Sequence, residues 1–229
     1  MAPMFRAVQH DFFKKWSSEM AYVLGFFAAD GNMIKNKRGA HFVSFYSCDK
    51  KLLEQVRHVL QSTHKIGMRR RKRENHLWRN GYQLQIGSKA MFFDLLSLGM
   101  TPRKSLTLSF PDVPEKFFKN FVRGYFDGDG CVYFGKHFVK DRSKMRLVFQ
   151  VRFTSGSKQF LATLHARLKN CGVRGGSTYE KNRGHELVFS HHDGVALFHI
   201  LYDNALARPF LERKRRIFVR AFRKLCMRA

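Results

Sequence analysis

The sequence predicts an α/β (α+β) fold built twice over, each half running α-β-β-α-β-β-α, on three observations. A short motif occurs twice, 99 positions apart, as VLGFFAADG at 23–31 and VRGYFDGDG at 122–130. Strand-like and helix-like segments follow both copies in the same order. Within the strands, apolar residues alternate with polar ones, so one face of each sheet needs helices over it.

Each motif reads as a helix with small residues at four-residue spacing that ends in a carboxylate and a glycine. Ala21, Gly25 and Ala29 line one stripe of the first, and Gly124 and Gly128 one stripe of the second, so the two backbones can approach closely. Close approach brings Asp30 and Asp129 together. Like charges at the partly negative carboxyl ends of helices are costly unless a cation lies between them, which makes a divalent metal the candidate partner of the pair. Asp127 has Ala28 at the matching position of the first copy and reads as a local hydrogen-bonding residue rather than a ligand.

After the first motif, residues 40–47 read as a strand and 49–56 as a helix; 82–86 alternate as a strand, and 89–98 form an apolar helix closed by Gly99. The counterparts in the second half are 145–154, 157–164, 185–189 and 193–205. Asn80-Gly81 predicts a tight hairpin turn, and Asn182-Arg183-Gly184 a turn of the same purpose. Pro102, Pro111 and Pro114 mark a connection. It divides the chain into a first half over 1–104, a linker over 105–114 and a second half over 115–229, with Pro114 and Glu115 favourable at the start of the second motif helix. The stretch after Asp129 is about nine residues longer than that after Asp30, so asymmetric halves, and an asymmetric target, are expected.

Forty-three Lys and Arg against 17 Asp and Glu leave a net charge of +26 on 229 residues. Such an excess repels itself in isolation and points to a polyanionic partner, nucleic acid ahead of a membrane surface, because no long apolar run stands out. A generically basic protein, such as a ribosome-associated one, has the same balance. The four cysteines, Cys48, Cys131, Cys171 and Cys226, form no CxxC pair and signal neither a disulfide framework nor a zinc site. The N-terminal segment has no continuous apolar stretch of signal-peptide length and contains an acid, which predicts an intracellular protein, cytoplasmic in a prokaryote or organellar. His191-His192-Asp193 lacks a second ligand set and is read as non-catalytic.

The two motifs resemble those of the LAGLIDADG homing endonuclease family in its single-chain, two-motif form. VRGYFDGDG is the closer match; VLGFFAADG has Ala28 where an earlier acid often stands. The resemblance implies a monomer whose two antiparallel sheets form a DNA-binding saddle around paired motif helices. It implies a Mg²⁺-dependent, site-specific double-strand cut in a long asymmetric DNA target, with short 3′ overhangs, promoting mobility of a host intron. Ca²⁺ would substitute for binding and Mn²⁺ for cleavage. Asp30 and Asp129 would be metal ligands, supplemented by the backbone carbonyls of Ala29 and Gly128, and Lys104 and Lys214 the basic residues that support catalysis. Some family members place a glutamine in the active-site pocket at the end of the first strand; the aligned positions here fall near Phe45 and Phe153, leaving Ser47, Thr154 or Ser155 as weaker substitutes. A group I intron maturase of the same fold, with host intron RNA as partner, is the alternative.

The strand over 145–154 puts Leu147, Phe149, Val151 and Phe153 on one face and Arg146, Gln150, Arg152 and Thr154 on the other. Arg and Gln are the side chains that read guanine and adenine edges, and a β-ribbon fits the major groove. In the first half Ser44 and Tyr46 are expected to face outward. Arg69, Arg70, Arg71, Lys72 and Arg73 follow as a basic run that splits between bases and phosphates, then Arg79, Gln83 and Gln85. Lys136, Lys140 and Arg183 complete the expected DNA contacts of the second half.

Overall fold

The computed structural model describes residues 6–69, 80–139, 143–182, 184–203 and 209–227. Its elements follow the expected order: α1 (Ser18–Asp30), β1 (Gly31–Lys35), β2 (His41–Ser47), α2 (Lys50–Val59), β3 (Ile66–Arg69), β4 (Gly81–Gly87) and α3 (Lys89–Ser97). After a 3-10 turn at Lys104–Leu106 come α4 (Glu115–Asp129), β5 (Gly130–Val139), β6 (Lys144–Ser155), α5 (Lys158–Asn170), β7 (Ser177–Lys181), β8 (Gly184–Ser190), α6 (His192–Tyr202) and α7 (Glu212–Leu225). The last helix is an addition to the repeat that the sequence reading left unassigned. Among the described residues no helix is long and apolar enough to cross a membrane.

Local chemistry sets the helix starts. Ser17, Asp49, Ser88 and Ser157 each accept a backbone N–H of the first turn, at 3.0–3.4 Å, satisfying donors that have no partner inside the helix. Asp49 and Ser157 are therefore caps just outside helices in which the sequence reading had included them.

The chain packs as two compact units, Met1–Lys104 with Pro111–Gly128, and Ser105–Phe110 with Asp129–Ala229. Packing and sequence repeat thus divide the chain differently, because α4, which opens the second repeat, is built into the first unit up to Gly128. There it meets α1 with the backbones in contact. A Cβ at Gly25 would lie 2.1 Å from the Phe121 carbonyl oxygen, and one at Gly124 would lie 2.0 Å from that of Tyr22. Beside this reciprocal contact the Tyr22 hydroxyl donates to Asp127 Oδ2 at 2.8 Å, and the Arg123 guanidinium sits 5.5 Å from the Tyr22 ring centre. All three side chains are buried. Asp127 is a hydrogen-bonding residue, as expected, but not a local one: its partner lies across the helix pair.

The first unit's sheet has the order β1-β2-β4-β3, all antiparallel. Val43, Phe45, Leu84 and Ile86 turn to the core, where Phe26 and Phe27 pack on the Phe45 ring at 6.2 and 5.4 Å. The second unit repeats this as β5-β6-β8-β7, with Phe149, Val151, Phe153, Leu187 and Phe189 inward. Here α7 supplies Phe218 and Phe222, each 5.8 Å from Phe149.

Two local expectations change. Gly81 is a strand residue paired with Arg69, so Asn80-Gly81 is not a two-residue hairpin turn; Lys181 does pair with Gly184 across Asn182-Arg183. Leu147 is exposed, although it lies on the face of the buried Phe149 and Val151. Gly31 pairs with Phe45 and Gly130 with Phe153, so the nine extra residues of the second half lengthen this hairpin.

Gly25→Ala and Gly124→Ala are each expected to lower stability by about 1–3 kcal/mol or more, since the added carbon meets backbone that cannot swing aside. Gly81→Ala, where nothing lies within 4 Å, should stay within about 0.5 kcal/mol. Denaturant midpoints of the three variants check this.

Candidate active site and nucleic-acid interface

Asp30 closes α1 and is half-buried. Its carboxylate lies beside Gly128: a Cβ there would stand 3.3 Å from Asp30 Oδ2 and 2.4 Å from the Ala29 Cβ. Glycine at 128 therefore leaves the space next to the acid open. Asp129 is the following residue, half-buried at the end of α4. Ala29 and Gly128 also occupy the last helical turns, where carbonyls point out of the helix.

Asp30 also borders a cavity of about 530 Å³ lined by Tyr46, Ser47, Cys48, Arg69, Gly81 and Tyr82. The acid is thus open to solvent on the side of the sheet away from the core. All donors that Asp30, Asp129, Ala29 and Gly128 offer are hard oxygens, the set suited to Mg²⁺ or Ca²⁺. Among the described residues no three His, Cys, Asp or Glu side chains cluster as an alternative metal site.

Lys104 and Lys214 occupy the same place in their respective units. Lys104 Nζ donates to the Gly31 carbonyl at 2.6 Å, and Lys214 Nζ donates to the Gly130 carbonyl at 2.6 Å. Each carbonyl belongs to the glycine directly after a motif aspartate. Both lysines are buried, 5% and 3% exposed, although one comes from a 3-10 turn and the other from the first turn of α7. An ammonium is costly to bury without compensation, and the same buried arrangement recurs at the glycine after each acid.

Cross-strand neighbours share a face, which sorts the expected interface residues. In the first sheet Ser44 pairs with Gln85 and Tyr46 with Gln83, all on the face away from the core. They are joined into a network. Arg69 Nε donates to Gln83 Oε1 at 2.9 Å, and Gln83 Nε2 donates to Ser44 Oγ at 3.2 Å and to the Tyr46 hydroxyl at 3.0 Å. The Arg69 guanidinium also lies 5.1 Å from the Tyr46 ring centre. Ser44 faces as expected but is fully buried beneath this network.

In the second sheet Arg146, Gln150, Arg152 and Thr154 lie opposite the core face, and Arg152 Nη2 donates to Gln150 Oε1 at 2.9 Å. Lys136 departs from expectation. It pairs with Leu147 and so shares the face of Phe149, opposite that of Arg146 and Gln150. Arg70, Arg71, Lys72, Arg73, Arg79, Lys140 and Arg183 lie outside the described residues.

Ser47 accepts the Asp49 N–H and Ser155 the Ser157 N–H, so both are engaged in entry turns. His192 and Asp193 open α6, and Asp193 accepts the Arg174 and Gly175 N–H groups. The sequence reading missed Lys181 and Glu186, a salt bridge of 3.5 Å on the outward face. Alternation with the inward Leu187 and Phe189 placed Glu186 there, but an acid on a basic face went unselected.

A family model described as a LAGLIDADG-like domain matches residues 17–97 and again 117–201. The two matches take in most of the chain, which therefore belongs to the LAGLIDADG family. No curated protein sequence matches it. Among solved structures the chain is similar to the LAGLIDADG meganuclease I-AabMI bound to uncleaved DNA, with a TM-score of 0.58 at 13% sequence identity over 90% of this chain and 90% of that one. It is also similar to the homing endonuclease I-WcaI bound to its DNA recognition sequence, at 0.57 and 15% identity over 91% and 90%. I-DmoI in complex with DNA and Ca gives 0.52 and 17% over 80% and 88%. At these identities the likeness is one of fold.

Proposed function

We propose that the chain is a site-specific DNA endonuclease of the homing type, acting as a monomer on a long asymmetric duplex with a divalent metal, Mg²⁺ in the cell. The observation that carries the reading is the repeated pairing of a motif aspartate with a buried lysine on the next residue's carbonyl. Complexes of I-WcaI with its DNA recognition sequence and of I-DmoI with DNA and Ca support it, as do I-DmoI variants with target DNA in Mg or Mn. Intron mobility is the biological outcome that such a cut serves.

Asp30 and Asp129 would hold the metal with help from the Ala29 and Gly128 carbonyls. A hard divalent ion at such a site supplies an activated water and neutralises charge on the departing oxygen. Gly128 keeps the approach to Asp30 clear of side chain. The bond from each lysine to its glycine carbonyl sets where the rest of the ammonium points, and a fixed cation costs no reorganisation as negative charge grows on the phosphoryl oxygens. The outward sheet faces, with Arg69, Gln83, Gln85, Arg146, Gln150 and Arg152, would contact the duplex. Phosphate contacts from a chain of charge +26 supply most of the affinity, and base contacts supply the choice of site.

The decisive experiment incubates the full chain with a randomised duplex library in Mg²⁺ and sequences the cut ends. A single recurrent site supports the reading; no cleavage of any sequence overturns it. Asp30→Asn or Asp129→Asn should abolish double-strand cleavage while leaving duplex binding in Ca²⁺ within a few fold, and full activity in either would refute the assigned site. Lys104→Met and Lys214→Met, which keep the aliphatic stem, should each lower the single-turnover rate by about 10²–10³-fold. Affinity should fall steeply and linearly on a log–log plot against salt, whereas a flat response would deny the phosphate contacts.

A further inference from the structure

The strand registers of the two sheets superpose residue for residue. Phe45–Leu84–Ile66 forms one row of the first sheet and Phe153–Leu187–Thr178 the same row of the second, next to Gly31 and Gly130 respectively. One step outward the rows are Tyr46–Gln83–Gly67 and Thr154–Glu186–Tyr179. Gln83 and Glu186 therefore occupy one position, on the face away from the core. Each is held by a cation from the last residue of the short neighbouring strand: Arg69 Nε to Gln83 Oε1 at 2.9 Å, and Lys181 Nζ to Glu186 Oε2 at 3.5 Å.

A carboxylate on this face needs an explanation. With 17 acids against 43 bases in the chain, an acid turned toward a polyanion is repelled by it, unless it meets a hydrogen-bond donor. The major groove offers two such donors, cytosine N4 and adenine N6, and adenine adds the N7 acceptor beside its donor. A carboxylate has only acceptors and would set lone pair against lone pair at N7, so cytosine is its match. The amide of glutamine carries a donor and an acceptor and fits adenine. Lys181 Nζ lies against one carboxylate oxygen and orients the group, while an exposed ion pair adds about 0–1 kcal/mol to the fold.

We propose that Glu186, steadied by Lys181, reads a cytosine in the half-site covered by the second sheet. The matched position of the first sheet holds an amide, Gln83, whose groups are engaged by Arg69, Ser44 and Tyr46, so the two half-sites differ at this base pair. The row begins one residue from that of Gly130, itself next to Asp129, which places the base pair among those nearest the cut. This assignment rests on the endonuclease reading and specifies a base contact within it.

The test is a binding selection by the full chain on a randomised duplex library in Ca²⁺, repeated with Glu186→Gln. The variant is expected to move one base pair of the enriched site from cytosine to adenine, changing their ratio by about tenfold or more, with the other half-site unaltered. Gln83→Glu should impose cytosine at the equivalent pair of the other half, and it decides the matter alone where Glu186→Gln does not fold. A profile that superimposes on the parent's, or a uniform loss of affinity, overturns the assignment and leaves Lys181–Glu186 as a surface ion pair. A parent that selects a site but fails this swap sinks only the base contact, whereas a parent that enriches no sequence sinks the endonuclease reading as well.

Discussion

The backbone contact between α1 and α4 is the constraint on which the rest depends. Gly25 against Phe121 and Gly124 against Tyr22 leave no room for a single methyl group. That closeness carries α4, the first element of the second repeat, into the first compact unit. It also brings the end of α4 alongside Asp30, where Gly128 again stands in place of a side chain. Tyr22, Arg123 and Asp127 add a buried polar cluster to an otherwise small-residue contact. Hydrogen bonds of this kind demand geometry that apolar packing does not, and so favour one register of the pair over others.

Around that pair the molecule repeats a single arrangement of charge with different scaffolding. A buried ammonium reaches the carbonyl after Asp30 from a 3-10 turn, and another reaches the carbonyl after Asp129 from a helix. The donor, the acceptor and the 2.6 Å separation are common to both, while the local backbone is not. Chemistry at the acid constrains where the cation sits, and leaves open how the chain gets there.

The sheets divide their labour by face. Phenylalanine and aliphatic side chains on one side bind each sheet to its helices, and the other side carries arginine, glutamine, tyrosine and one paired acid. Equivalent positions hold different hydrogen-bonding groups, Ser44 against Arg152, Tyr46 against Thr154, Gln83 against Glu186. The duplication therefore preserves the core and varies the outward surface, which agrees with the proposed reading in which the two halves meet different sequences.

Sequence alone determined the duplication, the element order, the small-residue stripes, the two terminal acids and the alternation of strands such as 145–154, because each is a periodic or local signal. It also placed Lys104 and Lys214 through the family resemblance. Tertiary structure decided what depends on pairing between distant strands: that Gly81 continues a strand, that Lys136 shares a face with Phe149, and that Glu186 and Gln83 are equivalent. It decided, too, that both lysines bond the carbonyl after an acid, across 73 and 84 residues of chain. Register is a property of two segments at once. No window along a single segment carries it, since shifting the partner by one residue turns every side chain to the other face.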